Sequence, residues 1–179
     1  MATLPFDPDK LSDADRTLYE NLAERRKQQG APFGGPYLAL MNYPHLCKRI
    51  EDLGFYLKFQ GRLPREVYQF IVLSVARHCG AAFEWADHVE HARAAGVPEA
   101  VIESLHSQGA EGMFSAPYAL VARILAHTLP WKNVPEDIQN AAIETYGTDG
   151  FIEIVVVSGF YQMFSAINQG FDIQPKAQS

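Results

Sequence analysis

The feature that most constrains this chain is the run Phe70-Ile-Val-Leu-Ser-Val-Ala76, which is apolar on every side. A segment without a polar face has to be enclosed by other elements or by another subunit. Taken alone, so short and β-branched a run suits a strand as well as a helix. Its neighbours decide between them. Ser12 precedes an acidic first turn (Asp13, Asp15), and Leu18, Leu22 and Ala23 follow at helical spacing as far as Gly30. The Gly/Pro-rich stretch 30–36 reads as a loop, a short apolar helix starts at Tyr37, and Pro44 suits the first turn of a helix reaching Gln60. Further helices are expected over 65–79, 81–95, 98–107, 116–128, 135–146 and 150–168, with Gly96, Gly109, Pro130 and Gly147 at the breaks. A strand would stand alone among these, so the expected class is all-α.

Length and charge narrow the function. A chain of 179 residues, 47% hydrophobic and 20% charged, is expected to form a single domain spanning 1–179 with an ordinary core. Fifteen basic residues against 21 acidic ones give a net charge of -6, which argues against nucleic acid, since phosphate neutralisation needs a basic surface. The start, MATLPFDPDKLSDADR, carries four aspartates and no basic-then-apolar leader. Contiguous apolar runs such as Phe70 to Ala76 fall far short of the ~20 residues of a membrane span. A cytoplasmic protein with no membrane partner is therefore expected. Cys47 and Cys79, 32 residues apart and in no CxxC pair, are read as reduced, partly buried thiols. QFIVLSVARH from Gln69 and EIVVVSGFYQ from Glu153 share an apolar pattern, a weak internal repeat over about 64–95 and 150–172.

The segment Arg77 to Gly96 concentrates the chemistry. On a helix, residues four apart share a face, so Glu84 and His88 are neighbours and His91 continues their stripe. Trp85, Val89 and Ala92 make the adjoining apolar stripe, while Asp87, Glu90 and Ala94 face water. The pair is thus expected at the border of the core, where a carboxylate and an imidazole can tune each other for proton transfer. The same spacing also stabilises ordinary surface helices, and both readings stand. A metal site is not expected: the order H-E-x-x-H and paired Glu-x-x-His motifs are both missing. Arg77 and His78, just before Gly80, suit either a substrate carboxylate or their own helix's C-terminal carbonyls. His45, His106 and His127 are isolated, and Tyr161 in GFYQMF reads as core or interface.

At this segment the sequence resembles the carboxymuconolactone decarboxylase family of the alkylhydroperoxidase-D-like superfamily. The likeness is carried by Pro64 to Leu105, above all by Glu84-Trp85-Ala86-Asp87-His88 followed by A-x-x-A-G-V-P, and extends over about 34–171. It implies an all-α fold whose subunits pack buried helices together as dimers, trimers or hexamers. Peroxidase members carry a CxxC pair whose positions here are Ala81 and Glu84, and Cys79 lies two residues too early. Their relay glutamate, 19 residues before the histidine, is Gln69 here. Thiol peroxidase chemistry lacks its nucleophile. The decarboxylase pattern implies instead a lyase acting on a small unsaturated lactone carboxylic acid. It needs no cofactor, because the lactone carbonyl takes the electrons. In that reading His88 delivers the proton, Glu84 orients it, and Arg77, His78, Gln69, Trp85 and His91 line the substrate. A non-catalytic oligomeric binding protein of the same fold is the rival, and a thiol-dependent antioxidant protein the third.

Overall fold

The computed structural model describes residues 3–109 and 113–175, and among these every regular element is helical. After a 3-10 turn at Pro8–Lys10 come α1 (Asp13–Gln28), α2 (Pro36–Leu40), α3 (Pro44–Phe59), α4 (Arg65–Cys79), α5 (Ala82–Ala94), α6 (Glu99–Gln108), α7 (Tyr118–Thr128) and α8 (Glu136–Gly170). The all-α expectation holds, and α4 falls on the expected bounds. The breaks act as their residues dictate. Ser12 accepts a hydrogen bond from the Asp15 N–H at 3.2 Å, closing the start of α1. The two helices expected near the C-terminus are present as the two halves of α8, separated by a kink at Gly147, where φ of 74° leaves helical space.

Contacts divide the chain into two units, one running up to Gly61 with Ile167–Ile173 and one over Arg62–Ala166. In the first, α3 packs on α1 and α2. Leu22, Tyr37, Met41, Cys47 and Leu57 form its core. Glu51 on α3 is fully buried in that core and is met from α1 by Arg25 and by Arg26, whose Nε lies 3.8 Å from Oε1. Arg26 also lies over the Tyr37 ring at 4.4 Å. Two guanidiniums and an aromatic face thus accommodate an acid that could not be buried alone.

In the second unit α4 is the axis. It packs against α5, α6 and α7, and residues 67–76 are all buried. The enclosure demanded by an all-round apolar segment comes from α5, α6 and α7, whose Leu105, Ile124 and Leu125 are themselves without exposure, as is Ile154 of α8. Phe70 stacks on Tyr118 at 5.0 Å and meets Phe114 edge-on. The Glu153 carboxylate of α8 accepts the Arg62 N–H at 2.8 Å, pinning α8 to the turn before α4. By length and composition alone α8 is apolar enough to cross a bilayer, which counting contiguous runs did not reveal. Half of its most apolar window is buried in the protein. Ile152, Val155, Val156 and Met163 leave an apolar face exposed.

Candidate functional site

Gly80 sets the site's geometry. Its φ of 64° is left-handed, and the Ala81 N–H returns to the Ala76 carbonyl at 2.8 Å, so α4 ends sharply and α5 folds back along it. At the far end Gly96 takes a φ of 89° and the Val97 N–H bonds the Ala92 carbonyl at 3.0 Å. Between these caps one face of α5 is pressed against α4.

That face holds Glu84 and His88, each only 3% exposed. The sequence placed them at the border of the core; they lie inside it. Periodicity finds the face but not its depth, which depends on what arrives from α4 and α8. His88 Nδ1 lies 2.9 Å from Oε1 of Gln69, itself fully buried on α4. His88 Nε2 meets three oxygens: the Tyr161 hydroxyl at 3.4 Å, Glu84 Oε2 at 3.7 Å and Asp87 Oδ2 at 3.7 Å. The Tyr161 hydroxyl is 2.7 Å from that of Tyr68. Four buried side chains from three helices therefore form a chain, Gln69–His88–Tyr161–Tyr68. Edge-on packing of the Tyr161 ring against His88 (5.2 Å) and Tyr68 (6.0 Å) holds it in place.

The other expected site residues fall into two groups. His91 is half-buried and stays beside the cluster, its ring 5.7 Å from that of His88. Trp85 is half-buried but packs edge-on against His106 at 5.2 Å, towards α6. Arg77 and His78 are exposed: the Arg77 Nε donates to the His106 carbonyl at 2.6 Å, and His78 has no hydrogen bond, ion pair or ring contact among the described residues. A cation that lies against the cluster is Arg65, whose guanidinium is 5.1 Å from the Tyr68 ring centre. Sequence reasoning missed Tyr68 and Arg65 and read Tyr161 as core. The available signal was chemical: a tyrosine on a buried helix face has to find a partner for its hydroxyl.

Both cysteines are free. Burial pushes the Cys47 thiol up to about 12, against a lowering by Arg26. Burial also raises the half-buried Cys79 thiol, and its hydrogen bond with Ser165 only partly offsets that. Neither is poised as a thiolate at neutral pH. No three His, Cys, Asp or Glu side chains among the described residues are grouped to hold a metal ion. A shallow hollow of about 480 Å³ in the first unit is lined by Ala23, Lys27, Gly30, Ala31, Pro32 and Phe33, and it offers no acid–base pair.

The sequence matches no family model and no curated protein. Two solved structures share the fold. One is the debrominase Bmp8 without ligand, with a TM-score of 0.70 at 15% identity over 93% of this chain and 90% of that one. The other is a cysteine-to-alanine form of Bmp8 in complex with 2,3,4-tribromopyrrole, with a TM-score of 0.70 at 17% identity over the same shares. At that identity the likeness establishes the fold alone.

Proposed function

We propose that this chain is a small-molecule enzyme of the carboxymuconolactone decarboxylase type, using His88 as proton carrier and Glu84 to orient it. The observation that carries this reading is the buried Glu84–His88 pair with a hydrogen-bond partner on each ring nitrogen. A pair that merely steadied a surface helix would be solvated. Burying two titratable groups is costly unless they are matched, and it is at functional sites that such arrangements cluster.

In the proposed reaction the bond from ring carbon to carboxylate breaks and CO2 leaves. The electron pair flows into the conjugated lactone carbonyl as a dienolate, and one proton from His88 closes the carbon. No external electron sink is required. In this reading Arg65, whose guanidinium lies over the Tyr68 ring of the cluster, holds the substrate's carboxylate. The structural likeness to a debrominase that binds a small halogenated ring supports a small cyclic substrate. It does not favour a thiol mechanism here, since burial raises Cys79. A homo-oligomer is also proposed; the exposed face of Ile152, Val155, Val156 and Met163 supports it.

The test is CO2 release from 4-carboxymuconolactone near neutral pH without added cofactor, native protein against His88→Ala. Turnover that falls by about 10²-fold or more in the variant is the expected outcome. A folded native sample with no turnover rejects this substrate. Binding without turnover then favours the non-catalytic binding protein.

A further inference from the structure

The two ring nitrogens of His88 stand in different environments. Nδ1 faces the amide carbonyl oxygen of Gln69 at 2.9 Å, a group that accepts and never donates. With the amide in this orientation Nδ1 is the donor, and the Gln69 Nε2 is buried with no hydrogen-bond partner among the described residues. Nε2 faces the Tyr161 hydroxyl, which can do either, and that hydroxyl in turn faces Tyr68. A carboxylate where Gln69 stands could take the Nδ1 proton; an amide oxygen cannot.

We infer that Gln69 is a positioning residue that pins one proton on Nδ1, so that His88 exchanges its working proton only at Nε2, through the hydroxyls of Tyr161 and Tyr68. Two arrangements of the chain satisfy every contact. With a neutral ring, Tyr68 donates to Tyr161 and Tyr161 donates to the Nε2 lone pair. With a charged ring, Nε2–H donates to Tyr161 and Tyr161 donates to Tyr68. They differ by one proton. A proton arriving at the Tyr68 oxygen moves the Tyr68 hydrogen to Tyr161 and the Tyr161 hydrogen to Nε2, with no change in electrons. Glu84 and Asp87, both 3.7 Å from Nε2, favour the charged arrangement electrostatically. Among the described residues the groups facing the ring include Glu84, Asp87 and His91 from α5, Gln69 and, through the chain, Tyr68 from α4, and Tyr161 from α8. The 3.4 Å link is long for a hydrogen bond, as catalytic contacts often are before a ligand tightens them.

This rests on His88 as the proton carrier, yet it is tested without turnover. Ring nitrogen NMR of the ¹⁵N-labelled full chain should show Nδ1 protonated on both sides of the His88 titration, with Nε2 alone changing. Gln69→Leu should release the ring to populate both tautomers. Tyr68→Phe should move the His88 midpoint by about half a pH unit, roughly threefold in proton affinity. The same change made in Tyr161→Phe should move it by none, because the link is cut. A neutral ring protonated at Nε2, with Nδ1 accepting from a reversed Gln69 amide, overturns the inference. So does a Tyr68→Phe shift that survives in Tyr161→Phe. If Tyr161→Phe does not fold, the native spectrum decides the tautomer by itself. A native spectrum as expected with no decarboxylation leaves this inference standing and rejects only the lyase.

Discussion

Glu51 in the first unit and Glu84 in the second are both buried carboxylates, and their partners differ in kind. Glu51 is matched by Arg25 and Arg26, cations that stay charged at every ordinary pH. Glu84 is matched by His88, an imidazole that can take up or release a proton and whose other contacts lead to Gln69, Tyr161 and Tyr68. A buried acid beside permanent cations is a static clamp. A buried acid beside an imidazole in a hydrogen-bond chain can pass a proton. Burial alone does not separate the two; the partner's chemistry does.

Breaking the clamp has the largest expected effect. Glu51→Ala leaves Arg26 buried beside an unmatched charge and should lower unfolding free energy by about 3–5 kcal/mol, read from urea denaturation. A loss under about 1 kcal/mol would erase the contrast. Glu84→Gln keeps the shape and should change stability by less than about 1 kcal/mol while lowering turnover about 10²-fold, close to 2.7 kcal/mol in activation free energy. Turnover that is unaffected by this change would make Glu84 another clamp.

Gly150→Ala probes the helix that brings Tyr161 to the second acid. Its new Cβ would sit 2.6 Å from the Tyr146 Cβ, forcing a shift in α8. A loss of about 1–3 kcal/mol is expected in thermal unfolding, with the His88 titration midpoint displaced as well. An undisplaced midpoint would show that α8 matters less to the site than its contacts suggest. Smallest of all is Cys79→Ser, expected to change stability by under about 1 kcal/mol and to leave turnover intact. Because burial raises the native thiol, its alkylation at neutral pH should be slower than in the unfolded chain and rise about tenfold per pH unit. Fast alkylation at neutral pH, or lost turnover, would restore a thiol mechanism.

The apolar repeat offers the same lesson in another form. The stretches around Phe70 and Val155 read almost alike, yet α4 is enclosed on all sides while α8 leaves Ile152, Val155, Val156 and Met163 exposed. Sequence states that a segment is apolar; the neighbours determine how much of it is covered.

Local patterning did determine a good deal. Helix bounds follow from caps and breakers such as Ser12, Gly80 and Gly96, and the i, i+4 spacing puts Glu84 and His88 on one face, because these are interactions within a few residues. Gln69 was marked only by the family resemblance, as the residue standing where the relay glutamate would be. Tyr161 joins His88 from 73 residues away and Tyr68 from 93, and no periodicity spans such distances. Their meeting, the depth at which Glu84 is buried and the anchoring of Arg77 on α6 are decided by how helices pack. Packing answers to the shape and chemistry of whole faces, and those come together only in the folded chain.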